Sequence, residues 1–111
     1  MLKNLILVFA LIFSSLSYAD ENINSRKIIN IGCHVNDGIC YVRLDGSEFG
    51  STLGCSISST NQFRFDNANS TNGKRAFAAL YAAFLTQKVV DVYLSGCTSQ
   101  GFPQLIYYGI N

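Results

Sequence analysis

Apolar residues are arranged along this chain in three ways, and each arrangement predicts a different element. Leu5 to Phe13 is an unbroken apolar run behind Lys3. It is followed by Ser17-Tyr18-Ala19, which sets small residues at the −3 and −1 positions of a cut after Ala19. That is the pattern of a secretory signal. The run is too short for a comfortable membrane span and no second run follows it, so no stable membrane insertion is expected. No Cys lies near the cut, which argues against a lipid anchor. Residues 1–19 are therefore expected to be removed, leaving a periplasmic or secreted protein with a single domain over 20–111.

The second arrangement is alternation. Asp20–Ser25 is polar and reads as a loose lead-in. From Lys27, Ile28-Ile29-Asn30-Ile31-Gly32-Cys33-His34-Val35 is rich in β-branched residues and partly alternating. Asn36-Asp37-Gly38 supplies turn chemistry. Ile39–Leu44 then returns as a strand with Ile39, Tyr41 and Arg43 on one face and Cys40, Val42 and Leu44 on the other. Asp45–Gly54, rich in Gly and Ser, is a loop. Cys55-Ser56-Ile57 and Gln62–Asp66 read as short extended pieces, Val89–Leu94 as a strand and Leu105–Ile110 as the last strand.

The third arrangement is helical. Asn67–Asn72 offers caps at Ser70, Thr71 and Asn72, and Lys74–Gln87 is a helix, or about 73–87 with its opening glycine. Phe77, Leu80, Tyr81, Phe84 and Leu85 form a bulky stripe expected to face the core. The opposite side carries Ala78, Ala79, Ala82 and Ala83. Alanine is simply the best helix former on a solvated face. A side with so little charge also fits close approach to a second surface, such as a neighbouring subunit. One helix crossing between strands of a small sheet predicts a β-rich α+β fold, a curved sheet or barrel of about five strands covered by that helix.

Four cysteines, Cys33, Cys40, Cys55 and Cys97, follow the cut, and in an oxidising compartment a small domain uses them as staples. Four cysteines allow three connectivities. Cys33 and Cys40 flank the hairpin, and pairing them sets His34 opposite Ile39, leaving Cys55 with Cys97. Cys40–Cys55 with Cys33–Cys97 satisfies the same count.

Charge removes some partners. Without Lys3 the basic and acidic residues balance at seven each. A phosphate-binding surface needs concentrated Lys and Arg, so nucleic acid is not an expected partner. Catalysis finds little support either. His34 is the only histidine, and no serine sits in a nucleophile-elbow glycine pattern. The spacing of His34 with Cys33, Cys40 and Cys55 fits no usual zinc ligand set, so no metal or other cofactor is expected. Asp66 and Asp91 are glycosidase candidates only by default. Asn69-Ser70-Thr71 is formally a glycosylation acceptor, but a cap at the start of the helix explains it. A non-enzymatic role is expected.

Recognition remains. Tyr41, Tyr81, Tyr93, Tyr107 and Tyr108 stand among many Asn, Ser, Thr and Gln residues. Aromatic faces beside amides and hydroxyls suit sugars, whose C–H faces are ringed by hydroxyl groups. Tyr107 and Tyr108 must point to opposite faces of a regular strand, so at most one of them joins the core.

The second half carries a resemblance. Cys55, Phe63-Arg64-Phe65-Asp66, Gly73-Lys74 opening an alanine-rich helix, Lys88-Val89-Val90-Asp91-Val92-Tyr93 and Gly96-Cys97 are followed by a short aromatic strand. This resembles small secreted bacterial proteins similar in fold to AB5 toxin B subunits, with the subtilase-cytotoxin and typhoid-toxin B subunits as distant relatives. The resemblance implies an oligonucleotide/oligosaccharide-binding-like (OB-like) barrel with a helix packed on it. It supports Cys55–Cys97, which lies in the shared half, and makes Cys33–Cys40 a local addition. It also implies a homopentamer whose helices face the ring centre, a cell-surface glycan ligand on the outer sheet, and a toxin A subunit as partner.

The chain lacks the Trp-containing segments of those subunits, so no sugar contact transfers residue by residue. Tyr41, Arg43 and Tyr107 are candidates from chemistry alone, and Ala78, Ala79, Ala82 and Ala83 are the candidate interface. The competing expectation is a small periplasmic accessory protein that binds an envelope or secreted protein.

Overall fold

The computed structural model of the protein describes residues 17–111. Ser17-Tyr18-Ala19 is among them, while Lys3 and the apolar run lie outside. No helix among the described residues is long and apolar enough to cross a membrane.

Five strands and one helix follow in order: β1 (Glu21–Cys33), β2 (Cys40–Leu44), β3 (Gln62–Phe65), α1 (Thr71–Thr86), β4 (Val89–Cys97) and β5 (Pro103–Ile110). The strands close into a ring in the order β1-β2-β3-β5-β4. All pairings are antiparallel except β3 with β5, which meet at Arg64 and Gln104.

Closure depends on β1, which serves two partners. Its first half, from Glu21, pairs with β4 and its second half, from Ile28, pairs with β2. Register shifts between Ile23 and Arg26 and between Ile28 and Asn30 bend it around the corner. Ser25 takes a left-handed backbone (φ 56°) at the first shift, and its N–H donates to Asp91 Oδ1 at 2.7 Å. The polar lead-in is thus strand rather than loose chain. Only Ile23 faces the core there, and backbone pairing to β4 carries the rest. Cys55–Ile57, read as extended, belongs to no strand and runs through bends beside the disulfide. Its backbone bond is from Ile57 N–H to Gly101 O at 3.0 Å.

The core is Ile28, Val42, Leu44, Phe63, Phe65, Val90, Val92 and Leu94 from alternate strand positions, closed by Leu80 of the helix. Cys40, Val42 and Leu44 face inward as the alternation predicts, with Tyr41 and Arg43 on the outside; Ile39, read with them, precedes β2 and is buried. Tyr108 packs on the core while Tyr107 points out. Both disulfides join the pairs that flank the hairpin and the barrel end, Cys33–Cys40 and Cys55–Cys97.

The helix starts earlier than its apolar pattern suggests. Ser70 is the cap, its Oγ accepting the Gly73 N–H at 3.0 Å, and the helix ends at Gln87, whose left-handed backbone (φ 56°) stops it. Its rotation also differs from the bulky stripe. Gly73, Leu80 and Ala83 are buried, Phe77 and Phe84 flank them half-buried, and Tyr81 and Leu85 are 45% and 63% exposed. On this inner line Leu80 and Ala83 enter the core, and Gly73 lies against the Asn67–Ala68 turn. Ala83, a candidate interface residue, is therefore a core residue, 1% exposed. Ala79 is half-buried, and the open face is Ala78, Tyr81, Ala82 and Leu85.

Candidate functional site

The outer faces of β2, β3 and β5 meet along one row. Tyr41 lies opposite Arg64, and Arg64 opposite Gln104. Arg64 is placed there by the alternation of β3, whose Phe63 and Phe65 turn inward to the core. Its guanidinium carbon sits 3.8 Å from the centre of the Phe102 ring and 5.9 Å from that of Tyr41. The Phe102 contact is a close cation–π arrangement. Arg64 Nε donates to Gln62 Oε1 at 2.8 Å, and Nη1 donates to Gln100 Oε1.

Each neighbour is itself fixed. Gln62 is 9% exposed, so its amide is held against the barrel wall. Phe102 and Gln100 belong to the loop between β4 and β5. There Thr98 N–H donates to Phe102 O at 2.8 Å and Gly101 N–H donates to Thr98 O at 2.9 Å, with Gly101 left-handed at φ 79°. Asp66 Oδ2 accepts the Ser99 N–H at 2.8 Å, and Cys97–Cys55 anchors the start of the loop. Tyr41 lies across β1 where Gly32 leaves space. A Cβ on Gly32 would stand 2.5 Å from the Tyr41 hydroxyl oxygen.

Among the described residues the one contact at ion-pair distance is His34 Nδ1 to Asp37 at 3.3 Å, an ion pair only when the imidazole is protonated, at the hairpin end of the same face. The Ile39 N–H holds the Asp37 carboxyl below its ordinary pKa, and the His34 contact acts in the same direction against partial burial. Burial lowers the pKa of Arg64, with Asp37 and Tyr41 opposing. A guanidinium stays charged regardless. The geometry therefore presents a half-buried cation between two aromatic rings, oriented by neutral amides; among the described residues no carboxylate is in ion-pair contact with it, and Asp37 acts on it from further away. Such a surface can stack on an apolar ring face, exchange hydrogen bonds with hydroxyls and accept an anionic group.

The sequence candidates fall in different places. Tyr41 belongs to this patch. Arg43 lies two residues along the same face and lines a separate open depression of about 560 Å³ with Ile29, Asp45, Glu48 and Asn61. Glu48 there accepts from Ser59 Oγ at 2.5 Å. Tyr107 stacks on Tyr93 with ring centres 4.7 Å apart and planes 6° from parallel. Tyr93 donates its hydroxyl to Asp20, which also accepts from Ser95 Oγ at 2.6 Å. The Ser95 and then the Tyr93 bond lower the Asp20 pKa, while the same Asp20 bond raises that of Tyr93.

Arg64, Gln62, Gln100 and Phe102 were not sequence candidates. The alternation of Phe63-Arg64-Phe65 could have flagged Arg64 as an outward cation, whereas nothing in the chain signals that Phe102 folds beneath it.

The default catalytic carboxylates each accept a backbone amide N–H. Asp66 holds the Ser99 amide, and Asp91 holds the Ser25 amide and Asn111 Nδ2, which lower its pKa in that order. Among the described residues no group of three His, Cys, Asp or Glu is placed to hold a metal ion, and all four cysteines are bridged. No family model matches the chain, and neither the curated proteins nor the solved structures contain a match to it.

Proposed function

We propose that this protein is an exported, non-enzymatic carbohydrate-binding domain, with Arg64 and Tyr41 at the centre of its ligand surface. The carrying observation is the half-buried Arg64 guanidinium, set over Phe102 and oriented by Gln62 and Gln100, with no carboxylate in ion-pair contact among the described residues. Aromatic faces beside amides match the alternating C–H and hydroxyl surfaces of a sugar, and the free charge favours one bearing an acidic group. Arg64→Gln is expected to weaken binding of the recognised glycan by about ten- to a hundredfold, since hydrogen bonds to charged groups carry about 1.5–3 kcal/mol. Isothermal titration of both proteins checks this. Unchanged affinity would place the ligand elsewhere.

The resemblance to AB5 toxin B subunits extends the proposal to a ring of copies. Ala78, Tyr81, Ala82 and Leu85 form an exposed, uncharged stripe at helical spacing, with Tyr81 stacked on Phe77 at 6.0 Å between ring centres. A stripe of this kind suits a second protein surface. Light scattering of the oxidised, signal-cleaved protein is expected to give a mass near five chains. A mass of one chain would remove the ring and favour the accessory-protein role, in which the same stripe meets a different protein.

A further inference from the structure

The barrel closes between β3 and β5 on a single rung. Arg64 pairs with Gln104, and β3 ends one residue later at Phe65, before the turn that leads into α1. From Leu105 onward β5 has β4 on one side and, among the described residues, no strand on the other. The bonding phase follows from the chain end, where Asn111 N–H donates to Val89 O at 2.9 Å. Alternation in the antiparallel ladder then turns the backbone groups of Tyr107 and Gly109 toward β4, and those of Tyr108 and Ile110 away from it. A free edge is usually guarded by charge or proline. Leu105–Ile110 contains neither, and it exposes Ile106, Tyr107 and Ile110.

A groove of about 290 Å³ runs beside this edge, lined by Phe65, Gly73 and Ala76 together with Ile106 and Tyr108. Arg75 is the one charged side chain in its lining. That guanidinium is exposed, and among the described residues no carboxylate is in ion-pair contact with it. We propose that the β5 edge is a peptide-docking site, where an extended apolar segment of another protein, bearing an acidic side chain, adds as a further strand. Its backbone would bond Tyr108 and Ile110, its apolar side chains would enter the groove, and its carboxylate would meet Arg75. Main-chain bonds supply affinity in this mode, while the groove and the charge select the sequence.

A second copy of this chain is a poorer occupant. Two β5 edges paired about a two-fold axis would bring two uncompensated Arg75 side chains to one seam, and facing like charges oppose pairing. The groove starts beyond the Arg64–Gln104 rung, so a peptide there needs no sugar bound at Arg64.

The probe is a phage-displayed library of random octapeptides, selected on the oxidised, signal-cleaved protein. Enriched peptides are expected to alternate apolar residues and to carry Asp or Glu. The most enriched one, synthesised with blocked ends, is then added while amide hydrogen exchange is followed by NMR. Exchange at Tyr108 and Ile110 is expected to slow by at least about tenfold, with Tyr107 and Gly109 little changed because they already face β4. Ile110→Pro removes an outward donor and leaves the β4 pairing in place, so the peptide should bind about two- to tenfold more weakly. Arg75→Glu is expected to switch selection from acidic to basic peptides with the circular dichroism unchanged. Recovery of no alternating peptide, or binding that leaves exchange at Tyr108 and Ile110 unaltered, would overturn the proposal. Concentration-dependent protection of those two amides in the free protein would also overturn it, by giving the edge to a second copy.

Discussion

Replacing Cys55 and Cys97 together by alanine is expected to lower the unfolding free energy by about 4 kcal/mol. The bridge spans a sequence separation of 42, against 7 for Cys33–Cys40. On loop-closure grounds the shorter bridge is worth about 2.5 kcal/mol, so the two double mutants should differ by about 1.5 kcal/mol. The larger loss should also reach the ligand surface. Cys97 ends β4 and starts the loop that carries Gln100 and Phe102, and Cys55 lies beside the Ile57–Gly101 backbone bond. Urea denaturation of the two variants measures the effect. A loss below about 1 kcal/mol for Cys55 and Cys97 would show that the unfolded chain is already held together by other means.

Gly73→Ala is expected to cost about 2–3 kcal/mol, opposite in sign to the usual outcome of this exchange inside a helix. Alanine ordinarily gains about 0.5–1 kcal/mol over glycine there. At Gly73, however, a Cβ would stand 2.0 Å from Asn67 O and 2.6 Å from Ala68 Cα. Both are backbone atoms of the turn that delivers the Ser70 cap, so no side-chain rotation can relieve the contact. The first turn of α1 would have to lift away from Ala68, which is itself buried, and overpacking of this kind costs about 1–3 kcal/mol. Thermal or urea unfolding reads the change. A neutral or stabilised variant would mean that the helix start shifts at little cost.

The inner positions of β2 and β3 were legible because one face of each strand is apolar and the other is not, whereas β5 is apolar on both faces and exposes Ile106, Tyr107 and Ile110. Cys40-Tyr41-Val42-Arg43-Leu44 is the clearest case. The start of β1 was hidden, since Glu21-Asn22-Ile23-Asn24 carries one inward side chain and is held by backbone bonds that composition does not encode. The helix was found, but its rotation was misread. Bulk suggested Tyr81 and Leu85 for the core, whereas Leu80 and Ala83 enter it and Gly73 is buried against the Asn67–Ala68 turn.

The candidate site was half visible. Tyr41 follows from alternation and chemistry, but its partner Arg64 matters only because Phe102 and Gln100, far along the chain, fold against it. Arg43 and Tyr107 share its chemistry and line other surfaces.

The central question is whether the Arg64 surface binds carbohydrate. The direct measurement is a broad glycan array probed with oxidised protein comprising residues 20–111, run beside its Arg64→Gln variant. Selective signals are expected on glycans that carry a carboxylate or sulfate, lost or strongly reduced in the variant. Absence of any glycan signal, or equal signals from both proteins, would contradict it.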